Sequence, residues 1–329
     1  MDMHLAATIG ADDITQEATR AGFGRGLLAA GKQNDQIVGV CADLTESTRM
    51  IEFAEAFPDR FVQVGVAEQN LVTVSSGLAA MGKIPFASSY AAFAPGRCWE
   101  QIRTTICLND RPVKIVGSHA GVSVGPDGAT HQMLEDLALM RALPNMVVVV
   151  PADSVEAEKA TKAIAANGKP TYLRLAREKS PVFTTQDTPF ELGKAYVLRE
   201  GRDLAIMTTG TMTYQALLAA DILAKDGVHA QVVHIPTVKP LDEHTVLESA
   251  HKCGRVITVE EAQIAAGFGS AIAELLSEQL PMPVKRLGMQ DRFGESGTPA
   301  ELLKKFGLTG DAIALQAHHW ISTMPQYHR

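Results

Sequence analysis

Short apolar runs alternate with stretches of helical periodicity along almost the whole chain. The runs at 37–41, 61–64, 113–117, 146–150 and 171–175 are strand candidates. A strand that is apolar throughout must be covered on both faces, which is the situation of a parallel sheet between layers of helices. The intervening stretches supply the helices. Over 68–82 the apolar positions Leu71, Val74, Leu78 and Met81 recur at helical spacing, and 153–166 opens after Pro151 with Asp153 or Ser154 placed to cap it.

The pattern breaks once. Residues 180–189 (SPVFTTQDTP) are polar, carry two prolines and show no periodicity, the marks of a linker. A second α/β series follows, with strands expected at 204–208, 231–235 and 256–259 and helices near 213–225, 243–251 and 269–280. A length of 329 residues suits two domains of ordinary size. The expectation is therefore an α/β protein of two domains: a parallel-sheet domain over 12–180, a smaller α/β domain over 190–312, and a C-terminal tail over 313–329.

Composition removes several classes. A net charge of −7 with no strongly basic stretch argues against nucleic acid as a partner. No apolar run reaches the roughly 18 residues that span a bilayer. The first residues lack the basic-then-apolar order of a secretion signal. Cys41, Cys98, Cys107 and Cys253 form no CxxC pair and read as free thiols, so a reducing compartment, the cytoplasm, is expected.

Several motifs fail on inspection. There is no HExxH, no metal knuckle and no GxSxG elbow. The stretch 77–83 fits GxxxxGK, but Ile84 stands where Ser or Thr should hold magnesium, and these glycines close a helix instead of opening one. Gly22, Gly24 and Gly26, like Gly267 and Gly269, miss the dinucleotide spacing. The tail His318-His319-Trp320 could bind a metal through its histidines, yet a loosely ordered terminus explains it better.

Three segments place polar groups where expected strands end, the side on which open α/β sheets bind ligands. They are CADLTES at 41–47, GVAEQN at 65–70, and HAGVSVGPDGATH at 119–131. Singly, each has an ordinary explanation. Glu68 suits the first turn of a helix, Asp43 can cap one, and the histidines can be loop residues.

In order and register, however, these segments resemble the second and third domains of the transketolase family. The resemblance runs from about Ile14 to about Leu308 and includes SSYAAFAP at 88–95 and FGESGTPAELLKKFGLT at 293–309. It implies a cofactor, thiamine diphosphate, whose aminopyrimidine is held by Glu68 and packed by Tyr90 and Phe93, with Asp43 and Leu44 lining the same pocket. A carboxyl on the ring nitrogen favours the tautomer that takes the proton from the cofactor's own reactive carbon, so the cofactor carries the hard chemistry. The resemblance also implies that His131 hydrogen-bonds the substrate carbonyl or hydroxyl and helps proton transfer. Asp127 would read a substrate hydroxyl, and Arg20, Ser47, His119 and Arg177 would bind a sugar phosphate. The family shows a further aromatic three residues after Phe93, where this chain has Gly96.

A complete transketolase grips the diphosphate through Mg2+ with a GDG…N motif, and no GDG occurs here. The resemblance therefore implies a partner, an N-terminal diphosphate-binding subunit that carries the magnesium ligands, in an α2β2 heterotetramer acting on sugar phosphates. No metal site is expected on this chain. Two other readings stay open: a subunit akin to deoxyxylulose-phosphate synthase or to a 2-oxo acid dehydrogenase beta subunit, and a non-catalytic scaffold of the same fold. His119 favours the transketolase reading over the synthase, which typically has Arg there.

Overall fold

The computed structural model describes residues 3–323. Its larger sheet has seven strands in the order Thr237–Lys239, Val147–Val149, Thr171–Arg174, Lys114–Ser118, Ile84–Tyr90, Ile37–Cys41 and Phe61–Gln63. Six of them run parallel, and only Thr237–Lys239 is antiparallel to its neighbour. The central strands are buried along their length, and apolar side chains from flanking helices cover both faces. The second sheet orders Val284–Met289, Val256–Gln263, Leu204–Thr208, Ala230–His234 and Tyr196–Arg199, with the last strand antiparallel. The mixed, parallel-rich α/β architecture in two domains is the one the apolar alternation predicts.

Local chemistry explains the helix starts. Asp153 caps Ser154–Ala166 by accepting the amides of Val155 and Glu156. Its second oxygen accepts the amides of Phe183 and Thr184, with Phe183 fully buried. The stretch read as a linker is strapped down, and Ser180–Pro181 pairs with Gln16–Glu17 as a two-residue ribbon. Gly22 and Gly26 belong to helix Thr19–Gln33, where a Cβ would fall 1.8 Å from the Ser154 carbonyl oxygen and 2.7 Å from the Thr161 Cβ. They serve the close crossing of two helices, not a phosphate.

One expectation fails. The tail is not loose: Gly310–Thr323 is a helix whose Ile313, Ala314 and Ala317 are buried in the second core, and His318 Nε2 meets Asp226 Oδ2 at 2.9 Å. Residues 324–329 lie outside the described residues. The sheets are not confined to their own halves, because Thr237–Lys239 comes from after the linker yet edges the larger sheet. Among the described residues no helix is long and apolar enough to cross a membrane.

Candidate active site

Parallel pairing brings the ends of five strands to one edge of the larger sheet, with Tyr90 registered against Ser118, Cys41 against Ser88 and Gln63, and Gly117 against Arg174. Glu68 opens helix Glu68–Ala80 just beyond this edge. Its side chain is 1% exposed, and Oε2 accepts a hydrogen bond from Arg97 Nη1 at 2.8 Å, whose own side chain is 51% exposed. Ser89 Oγ lies 3.4 Å from the other oxygen. Arg97 also lies over the Phe93 ring, 4.6 Å from its centre, a favourable cation–π placement. Sequence reasoning passed over Arg97. The available signal was its place four residues after Phe93, one turn on if the segment coils. At Gly96 a Cβ would sit 2.2 Å from the Ala92 carbonyl oxygen, so the backbone excludes a side chain there and the next residue's guanidinium covers the ring instead.

A cluster of rings adjoins the carboxylate. Tyr90 and Phe93 are stacked with centres 6.2 Å apart, and His131 meets Phe93 edge-on at 5.4 Å. His119 covers one face of Tyr90, with ring centres 3.8 Å apart, and its Nδ1 is 2.8 Å from Ser118 Oγ. Burial, then the nearby Arg20, Arg177 and His131, push the His119 imidazole down to about 3. At neutral pH it is uncharged, and can serve an anion as a hydrogen-bonding group but not as a cation.

The cations come from elsewhere. Arg20, in the first turn of its helix, donates from Nε to the Arg177 carbonyl at 3.0 Å and from Nη1 to the Ser47 carbonyl at 2.6 Å. Arg177 donates to the Val124 carbonyl at 2.9 Å and reaches Asp127 Oδ1 at 3.3 Å. Burial, then repulsion from Arg49 and Arg177, lower the Arg20 pKa. Side chains 157 residues apart thus converge, with Arg49 as a third cation that the sequence reading did not include. Like charges held this close favour an anion between them. Ser47 contributes its backbone carbonyl. Asp43 and Leu44 are the expected pocket residues least joined to this arrangement. Asp43 is exposed, with its amide donating to Gln63 Oε1 at 2.9 Å, and Leu44 packs against the core that holds Phe23 and Phe86.

Comparison with known proteins places the chain in a family. The transketolase pyrimidine-binding domain family matches residues 15–182, and the transketolase C-terminal domain family matches 193–313. Together they cover most of the chain, which belongs to the transketolase family. A protein described as a transketolase C-terminal section, from Methanocaldococcus jannaschii, is 43% identical over 90% of this chain and 93% of its own length. A 6-deoxy-6-sulfo-D-fructose transketolase subunit from Clostridium sp. strain MSTE9 is 44% identical over 89% of this chain and 91% of its own. A 1-deoxy-D-xylulose-5-phosphate synthase from Thermomicrobium roseum is 39% identical over 92% of this chain, but over only 48% of the synthase. Among solved structures, a split-gene transketolase described as an inactive beta4 tetramer superposes with a TM-score of 0.87 at 46% identity, covering 93% of this chain and 98% of that one.

Proposed function

We propose that this chain is the C-terminal subunit of a split, thiamine-diphosphate-dependent transketolase that moves a two-carbon ketol unit between sugar phosphates in the cytoplasm. One observation carries the reading: a buried carboxylate, a ring cluster and convergent arginines share one sheet edge. The residues fit the aminopyrimidine half of the cofactor, because Glu68 is buried beside Phe93 and its partner Arg97 is a half-exposed, mobile type of side chain. When bound, thiamine diphosphate supplies the nucleophilic carbon. Glu68 would hold the pyrimidine, Phe93 would pack against it, Tyr90 would back the cluster, and Asp43 and Leu44 would border it. His131 would exchange a proton with the substrate oxygen, Asp127 would read a neighbouring hydroxyl, and Arg20, Arg177 and neutral His119, beside Ser47, would take the terminal anion.

The partner is an N-terminal diphosphate-binding subunit with the magnesium ligands, in an α2β2 assembly. Support comes from the length match to relatives described as a section or a subunit. It comes also from Val66 (73% exposed) and Met81 (82%), which flank helix Glu68–Ala80 at its two ends, and Leu108 (77%) just after the coiled stretch Ile102–Cys107. Apolar groups so exposed suit a protein interface. The likeness to a sulfosugar enzyme favours a second substrate class, since a sulfonate would present a similar three-oxygen anionic face to Arg20 and Arg177.

The test mixes this chain with a diphosphate-domain subunit, thiamine diphosphate and Mg2+. Ketol transfer to ribose 5-phosphate is then followed from xylulose 5-phosphate and, in parallel, from 6-deoxy-6-sulfofructose. Transfer from either donor supports the reading and names the substrate. Carbon dioxide release from pyruvate with no ketol transfer would overturn it in favour of the synthase or dehydrogenase type.

A further inference from the structure

The loop that carries Asp127 and His131 is moulded by the second domain. Gly121, Gly125 and Gly128 all have positive φ, at 90°, 84° and 73°. Each also faces a residue from beyond the linker. A Cβ at Gly121 would fall 2.5 Å from Glu261 Oε1, at Gly125 3.2 Å from Pro299, and at Gly128 2.6 Å from Ser296 Oγ. Left-handed backbone alone would select glycine, but the close approach of a second surface at all three positions shows that the loop's shape is imposed from outside.

Polar contacts fasten the same surface. Glu261, 4% exposed, accepts the Ser123 amide at the tight turn Val122–Val124, and Thr211 Oγ1 lies 3.4 Å from its other oxygen. Gln132 Nε2 donates to the carbonyls of Val122 (3.1 Å), Gly125 (3.1 Å) and Glu295 (2.9 Å), joining the two arms of the loop to the second domain. The Gln263 backbone N–H donates to the Leu134 carbonyl at 2.8 Å. Arg174, from the larger sheet, holds the Glu261 carbonyl at 2.9 Å and the Asp136 carboxylate at 2.7 Å.

We propose that Glu261 is a positioning residue: through the Ser123 amide it sets the loop that presents Asp127 and His131, so the second domain governs substrate recognition without touching substrate. The kinetic part of this proposal rests on the ketol-transfer reading; the structural part does not. A buried carboxylate with a backbone-amide partner transmits position well, because neither group has alternative solvation.

Hydrogen–deuterium exchange on the full chain, with Glu261→Ala, Glu261→Asp and Glu261→Gln, tests the structural part. Amides at 122–131 should exchange at least tenfold faster in the Ala and Asp variants, while strands Leu204–Thr208 and Lys114–Ser118 keep their protection. Glu261→Gln, which retains an acceptor oxygen and the volume, should restore protection within about threefold. In the assembled enzyme, kcat/KM for the sugar donor should fall at least tenfold in the Ala and Asp variants and recover in Gln, while the thiamine diphosphate Kd stays within twofold. Should Ala not fold, Asp still reads the contact. Unchanged loop exchange, equal loosening of both strands, or an equal shift in cofactor Kd would each overturn the proposal. If the wild-type assembly transfers no ketol unit while the exchange pattern holds, the ketol-transfer reading alone has failed.

Discussion

Glu68 and Glu260 are both buried carboxylates, the first on the helix that opens beyond the larger sheet's edge and the second on a strand of the smaller sheet, and their partners differ in kind. Glu68 is paired with Arg97, a long side chain half in solvent. Glu260 accepts the backbone amides of Phe268 and Gly269, at 2.7 and 2.8 Å, in the first turn of helix Phe268–Gln279. The positive end of that helix, the place where a phosphate would bind in a dinucleotide fold, is filled by the protein's own carboxylate. The smaller sheet's edge is therefore closed, whereas the larger sheet's edge can exchange its partner. A buried acid is a candidate for chemistry when what neutralises it can leave.

The widest gap between the two is expected in catalysis. Glu68→Gln should cut kcat/KM of the assembled enzyme by about a hundred- to ten-thousandfold, with the unfolding midpoint nearly unmoved; steady-state rates and thermal melts on one preparation check both halves. Equal activity in that variant would erase the contrast. Glu260→Ala should instead cost about 2–4 kcal/mol by orphaning two buried amides, read from urea unfolding, and leave activity per folded molecule within about threefold.

Lys114 sharpens the comparison from the other sign of charge. It is fully buried, its ammonium donates to Asn167 Oδ1 and the Lys169 carbonyl at 2.6 Å each, and burial pushes the amine down to about 7. Between about 7 and the ordinary value of 10.5 the unfolded chain holds the proton more firmly. Stability should therefore rise with pH across that window and be flat in this contribution below it. Lys114→Met should remove the slope, measured by denaturant titration at several pH values. The smallest effect belongs to the tail helix: His318→Ala loses one exposed contact to Asp226, for about 0–1 kcal/mol. A larger loss in urea unfolding would mean that the helix depends on that contact more than on its buried face.

Strands such as Ile37–Cys41 and Leu204–Thr208 were legible because an apolar run bounded by polar residues has few other ways to be buried. Ile84–Tyr90, the strand that delivers Tyr90, was not, because Pro85, Ser88 and Ser89 break its apolar pattern. All three are nonetheless buried, and Ser89 faces Glu68. The placement of Glu68 after a strand was readable from local order. The meeting of Arg20 with Arg177 was not, since it depends on a separation of 157 residues and had only the family resemblance behind it. Arg97 was not legible, because its contacts with the Glu68 carboxylate and the Phe93 ring exist only once the two segments fold together. Asp153 was read as a cap, but its hold on Phe183 and Thr184 needed the folded linker.

The strand Thr237–Lys239 sets a limit on how this molecule can be taken apart. Expressed without the residues after the linker, the first domain would display the bare hydrogen-bonding flank of Val147–Val149 to any extended peptide. Truncations at residue 190 should accordingly aggregate, and a chimera that exchanges the second domain must bring a compatible edge strand with it.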